Sequence, residues 1–321
     1  MLMTTPTPAA TDAAGVATPK GAAARGRFDR LSARTGLSPR AIVAGTVLPA
    51  LALVVILGTI GLAPADQRTT IFFASIIGLA AGLSSTAVGV YGGVLVPGLL
   101  LLGIDARYVA ALSLFLQVLV IPVAAGSHIR LGNFSRSLVL PLLIGGVIGA
   151  FVAPFVASAI PKDMIARLVA GMIILVGAIV FATLRFKGLG TLRAENDTPR
   201  ARVGGIGLLA GFASGISGAG WGPVGMTLLI LSRIDPRRAI GSSLLARVFM
   251  AASAVVGYAI AASAFQNIVP NWWIVVPLLF ASVAMMIPGA MLLSRLGRER
   301  ATIVITTLSV ALAIPTLIWG H

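Results

Sequence analysis

From residue 41 onward the chain alternates long apolar runs with short polar, mostly basic stretches. The runs cover 41–62, 71–103, 107–128, 137–159, 164–184, 203–232, 238–263, 272–293 and 301–319. Most are about 20 residues long, enough for a helix to cross a hydrocarbon core of about 30 Å. Residues 1–40 lack this pattern and are rich in Ala, Thr, Pro, Gly and Arg, which predicts a disordered basic tail. Their composition does not fit a cleaved signal peptide, whose apolar core would lie nearer the start.

Two runs differ from the rest. Segments 71–103 and 203–232 are longer and carry a glycine-rich interruption, Gly82-Leu-Ser-Ser-Thr-Ala-Val-Gly-Val-Tyr-Gly-Gly93 in the first and Gly211-Phe-Ala-Ser-Gly-Ile-Ser-Gly-Ala-Gly-Trp-Gly-Pro223 in the second. These interruptions mark an internal repeat. Gly82, Gly89 and Gly93 align with Gly211, Gly218 and Gly222 at an offset of 129. Asp105, Arg107 and Ser113 align with Asp235, Arg237 and Ser243 at 130, and further on Pro141 and Ser158 align with Pro277 and Ser294. The expected organisation is a tail (1–40), an extra transmembrane helix (41–62), a first repeat (71–185), a cytoplasmic linker (186–202) and a second repeat (203–319).

Composition agrees with the runs. The chain has 321 residues, 58% of them hydrophobic and 10% charged, and a mean hydropathy of +1.02. A soluble domain needs far more surface charge. The net charge of +15 does not point to nucleic acid, because the basic residues cluster between apolar spans and form no stripe interleaved with aromatics. With no cysteine and two histidines, His128 and His321, the chain offers no disulfide, no thiolate nucleophile and no histidine metal centre. No cofactor and no metal are expected.

Charge also predicts topology. If each interrupted segment enters and leaves on one side, as a re-entrant pair of half-helices, nearly all Lys and Arg fall on the side of the tail. Only Arg68, Arg107, Lys162 and Arg167 face the other side, and Arg247 lies within a span. Full crossing by the interrupted segments would instead set the basic tail opposite the basic stretch 185–203, against the positive-inside bias. The predicted fold is therefore an all-α polytopic membrane protein with an inverted repeat. Each half is a broken re-entrant helix pair plus three transmembrane helices, and one extra transmembrane helix precedes them. Secondary transporters commonly have this architecture, with a site where the broken helices meet near the midplane.

Irregular backbone at membrane depth is tolerated only against protein or a wet cavity, and half-helix N-termini present N–H groups suited to an anion. The candidate substrate-binding residues at the first interruption are Ser84, Ser85, Thr86, Gly89, Tyr91, Gly92 and Gly93. At the second they are Ser214, Ser217, Gly218, Gly220, Trp221 and Gly222. The pairs Gly78/Gly82 and Gly145/Gly149 read instead as small-residue packing motifs. Arg247 lies about 14 Å into its helix at 1.5 Å per residue, and no acidic residue lies within a span. A transported anion is a natural counter-charge; backbone carbonyl pairing and snorkelling are the alternatives. Ser243 and Arg247 share a helix face, as do their repeat mates Ser113 and Gln117, so the four read as two sides of one cavity or as ordinary helix–helix hydrogen bonds. The string Gly215-Ile216-Ser217-Gly218 matches the G-x-S-G of intramembrane serine proteases, but neither histidine is placed to act as base, and no enzymatic activity is expected.

The pattern Gly82-x6-Gly89-x2-Gly92-Gly93-x3-Pro97-x5-Gly103, followed by a helix with Ser113, resembles the TauE/SafE family of sulfite exporters. So does the second copy, Gly211-x3-Gly215-x2-Gly218-Ala-Gly220-Trp221-Gly222-Pro223, followed by Gly241-Ser242-Ser243. The likeness covers about 71–319. It implies export of sulfite or a related organosulfur anion through the bacterial inner membrane. Tyr91 and Trp221 each stand where the family has a glycine, and such bulk is expected to narrow or gate the site. The expected partners are a small anionic substrate and the lipid bilayer, with the N-terminus cytoplasmic. A passive anion channel and a non-transporting scaffold are the alternatives, and assembly into a homo-oligomer is left open by the sequence.

Overall fold

The computed structural model describes residues 39–88, 90–130, 134–185, 198–226, 228–229, 232–234, 236–261, 272–286, 288 and 298–319. All regular elements among them are helical: α1 (Pro39–Leu62), α2 (Arg68–Val88), α3 (Gly92–Leu101), α4 (Ala106–Arg130), α5 (Arg136–Ala159), α6 (Lys162–Arg185), α7 (Arg200–Ser217), a π-helical turn (Trp221–Met226), α8 (Pro236–Ala261), α9 (Trp272–Ala284) and α10 (Arg298–Trp319). Six of them, α1, α2, α4, α5, α6 and α8, are long and apolar enough to cross a membrane. Contacts divide the chain into residues 1–46 and 47–321. Of the first unit, the described part is the opening of α1; the second unit forms the bundle. The expected tail, except its last two residues, and most of the expected linker lie outside the described residues.

Each helix shows why its sequence suits lipid on one side and protein on the other. In α5, Leu140, Ile144, Ile148, Val152 and Phe155 form an exposed apolar stripe at helical spacing, while Leu138, Leu142, Gly146, Gly149 and Ala153 are buried. The glycines let α7 approach closely, as small residues do between membrane helices. A Cβ at Gly145 would meet the Gly204 carbonyl, and one at Gly149 would meet the Leu208 carbonyl. Gly149→Leu is therefore expected to push α5 off α7 and to destabilise the protein by about 1–3 kcal/mol. A lowered thermal unfolding midpoint in detergent would register this, and an unchanged midpoint would contradict it.

The same packing recurs elsewhere. A Cβ at Gly207 on α7 would meet Leu142 on α5, and one at Gly78 on α2 would meet Leu278 on α9. Gly211 abuts Gly146, and Gly82 abuts Ser282. These contacts are equivalent under the repeat spacing, since 78 and 82 precede 207 and 211 by 129, and 278 and 282 follow 142 and 146 by 136. Interrupted helix α2 thus packs against α9, and interrupted helix α7 against α5. In both pairs the residue numbers rise together, so the paired helices run parallel.

The interruptions are narrower than the sequence suggests. The segment 82–88 remains helical, and α2 reaches 21 residues, about 31 Å and so longer than a half-helix, before it ends at Val88. Ser84 bridges this end, its hydroxyl lying 2.8 Å from the carbonyls of both Ala81 and Val90. Then α3 folds back: a Cβ at Gly98 would touch Ile77 of α2. The second interruption spans only Gly218–Gly220, and the following π-helical turn folds back so that a Cβ at Gly225 would meet Ala210. Glycine and serine in these stretches do not by themselves end a helix when packing on one face supports it.

Two smaller apolar clusters and two large ones lie within the bundle. One gathers α2, α3, α4, α6, α9 and α10 around Tyr91, Leu95, Leu99, Leu112 and Leu116. The other gathers α4, α5, α7, α8 and the π-helical turn around Leu142, Trp221, Met250 and Tyr258. Helix α4 serves both, with Val109, Leu112 and Leu116 toward the first and Ala110, Ala111 and Leu114 toward the second.

Candidate functional site

The two interruptions meet. A Cβ on Gly92, at the start of α3, would collide with the Gly218 carbonyl and lie 2.7 Å from the Ala219 Cα. Only glycine permits this approach at Gly92. Gly218 itself has φ +66°, a left-handed conformation that closes α7, and its N–H donates to the Ser214 carbonyl at 2.7 Å. The first turn of α3 is held by the Tyr91 carbonyl, which accepts from the N–H groups of Val94 and Leu95.

The carbonyl of Gly218 is a hub. It accepts from the Ser113 hydroxyl at 2.9 Å and from the Gln117 carboxamide nitrogen at 2.9 Å, both on α4. The same nitrogen lies 3.2 Å from the Ser113 oxygen. Gln117 Oε1 in turn accepts from a terminal guanidinium nitrogen of Arg247 at 2.8 Å. All three side chains are buried. Arg247 lies eleven residues into α8, about 16 Å from its start. A chain of hydrogen bonds therefore runs from the guanidinium on α8, through the amide on α4, to the second interruption. It satisfies a carbonyl left without a helical partner at membrane depth.

The remaining expected residues fall in different places. Ser217 spans the end of α7, donating to the Ala213 carbonyl at 2.7 Å and accepting from the Ala219 N–H at 3.0 Å. The Gly220 carbonyl accepts from Val224 at 2.9 Å, and Gly222 lies in the π-helical turn. Trp221 is buried against Gly225, and its indole N–H has no hydrogen-bond partner among the described residues. The Ser85 hydroxyl is likewise buried without one. Ser243 bonds within α8 to the Ile240 carbonyl at 3.0 Å and lies 3.6 Å from the Met226 sulfur. A Cβ at Gly93 would approach Val90 of its own interruption. Gly89 and the side chains of Thr86 and His128 lie outside the described residues.

Tyr91 points away from the hub. Its ring is fully buried and its hydroxyl lies 3.0 Å from the Ser282 hydroxyl on α9, which donates to the Gly78 carbonyl at 3.3 Å. It fastens the first interruption to a helix of the other half. A double-mutant cycle of Tyr91→Phe and Ser282→Ala is expected to give a coupling near the average for membrane hydrogen bonds, about 0.6 kcal/mol. Additive losses in thermal stability would show that the two hydroxyls do not act together.

Two contributors had not emerged from the sequence. Tyr258 on α8 donates to the carbonyls of Gly215 at 3.0 Å and Ile216 at 3.4 Å, holding the last turn of α7. Ser282 anchors Tyr91. The available signal was a lone hydroxyl inside an apolar span, which needs a partner there.

A chain whose described residues form only helices, six of them of span length, with two folded-back interruptions in contact inside the bundle, is a multi-pass membrane protein. Residues 74–316 match the family described as Sulfite exporter TauE/SafE, and the chain belongs to that family. It is similar to the "Probable membrane transporter protein YtnM" of Bacillus subtilis (strain 168), 33% identical over 188 residues, or 57% of this chain and 62% of the relative. It is also similar to the "Probable membrane transporter protein YdhB" of the same organism, 28% identical over 138 residues, or 42% of this chain and 56% of the relative. The chain thus aligns with about three fifths of the length of these curated relatives. No solved structure matches it.

Proposed function

We propose that this protein is a secondary transporter that exports a small oxyanion, sulfite or a related organosulfur anion, across the bacterial inner membrane, with its N-terminus in the cytoplasm. The observation that carries this reading is the chain Arg247–Gln117–Gly218, which places a buried cation and a carboxamide where the two interruptions touch. A guanidinium in so apolar a setting suits a ligand that brings negative charge, and its planar donors match an oxyanion. Membership of a sulfite exporter family favours sulfur oxyanions.

Alternating access between inverted halves is part of the proposal. Its support is the crossed packing of each interrupted helix on the other half and the direction of repeat mates. Helices α4 and α8 pack antiparallel, with Gln117 beside Arg247 and Ile121 and Ala124 grouped with Leu244 and Ile240. Mates α6 and α10 are also antiparallel, since Gly177 approaches Val310 while Gly171 approaches Leu317. Mates run antiparallel when a twofold axis in the membrane plane relates two halves.

The test is flux of sulfite, sulfate, chloride and small sulfonates into liposomes carrying the purified protein. The reading requires saturable uptake of at least one sulfur oxyanion, accelerated by the same anion on the far side. A protein that moves none of them would sink it, and flux without saturation or counterflow would make the protein a channel.

A further inference from the structure

Gln117 and Arg247 are repeat mates, 130 residues apart, and they touch each other. Two residues exchanged by a twofold axis meet only at the axis. If the halves are inverted as proposed above, this pair marks the place equidistant from both faces of the membrane. The two residues also differ in chemistry: one is a cation, and the other a neutral amide at the equivalent place.

The neutral amide has a specific consequence. Its oxygen accepts from the guanidinium at 2.8 Å, while its nitrogen donates to the Gly218 carbonyl at 2.9 Å and lies 3.2 Å from Ser113 Oγ. The carboxamide thus uses both ends and leaves the charge of the pair at +1. A second arginine at this place would repel the first. A carboxylate would be a permanent counter-ion to it. A carboxamide does neither, and its oxygen is an acceptor of the same kind as an oxyanion oxygen, only weaker.

We propose that Gln117 is the specificity-determining residue of the transport site: in the anion-free state its carboxamide oxygen occupies an acceptor position before Arg247 that a substrate oxygen takes on binding. The proposal rests on the transport reading above. When the anion displaces that oxygen from Arg247, the carboxamide nitrogen keeps its donors for Gly218 or turns one to the anion. Substrate arrival is thereby linked to the second interruption. Residue 117 sets the charge that the site can accept, because it decides whether the cation meets an internal anion or an external one.

The experiment compares sulfite flux by native protein, Gln117→Glu, Arg247→Gln, Gln117→Arg and the exchanged double variant Gln117→Arg/Arg247→Gln, each checked for a single elution peak and a cooperative thermal transition. Gln117→Glu supplies an internal counter-ion and is expected to raise the half-saturating sulfite concentration at least about tenfold. The two arginine/glutamine single variants, with two cations or none, are expected to be worse still. The exchanged pair restores one cation and one amide across the axis and is expected to recover flux to within about tenfold of native. A merely structural hydrogen bond predicts no such rescue with the charge moved to the other half.

A folded Gln117→Glu protein with native half-saturation would overturn the proposal, as would a folded exchanged pair no better than Arg247→Gln. If Gln117→Glu does not fold, the exchanged pair decides. If neither folds while Arg247→Gln does, the pair is a packing element and the proposal fails. Native protein that moves no oxyanion sinks the transport reading itself, whereas native transport unaffected by Gln117→Glu sinks only the role of Gln117.

Discussion

Arg247→Ala is expected to abolish sulfite flux in proteoliposomes while leaving a protein that inserts and purifies. Truncating one partner of a buried, hydrogen-bonded charged contact typically costs about 2–5 kcal/mol, which corresponds to at least a tenfold loss in binding. Two effects combine. The oxyanion loses its strongest donor, and Gln117 Oε1 loses the bond it now receives at 2.8 Å, leaving a buried acceptor unpaired. Stability should therefore fall as well, by about 1–3 kcal/mol, and addition of sulfite should no longer raise the unfolding temperature. Full transport by Arg247→Ala would remove the arginine from the proposed mechanism and leave the hydrogen-bond chain as a structural tie.

The second large effect is expected at Gly92. A side chain there meets the Gly218 carbonyl and the Ala219 Cα, both backbone, so no rotamer change relieves the clash. Gly92→Val should force the two interruptions apart, at a cost of about 1–3 kcal/mol, and stop transport. Gly58→Ala on α1 is the matching control, because a Cβ there has open space around it. A scaffold that transports nothing would lose folding stability in Gly92→Val and nothing else. The transporter loses flux under conditions where the variant is still folded, and measuring flux and melting on one preparation separates the two.

Several features were legible because lipid imposes them locally. Apolar runs mark helices wherever the backbone must satisfy itself, and that rule placed α1, α4, α5, α6, α8 and α10 within a few residues, whereas the run 272–293 outlasts α9, which ends at Ala284. The small-residue pairs Gly78/Gly82 and Gly145/Gly149 are packing sites, as their spacing suggested. The interruptions were located, but their extent was not. Gly82–Val88 stays helical, with Gly82 against Ser282 of α9, a tertiary contact that glycine content cannot report. Similarly, bulk at Tyr91 suggested a gate, whereas its hydroxyl faces Ser282 on a helix nearly two hundred residues away.

The sequence by itself determined the class of this protein, its family and the place of the two interruptions, because each is written in composition or in spacing along the chain. Only the tertiary structure decided which groups the interruptions serve. It brought Gly92 against Gly218, aimed Tyr91 at α9, and joined Arg247 to Gln117. The physical reason is that a helix surface is known from its own residues, while the partner of that surface depends on how the other helices cross it. Arg247 could be singled out from the sequence as a buried cation. That one of its acceptors is the Gln117 amide followed only when α4 and α8 were packed antiparallel against each other.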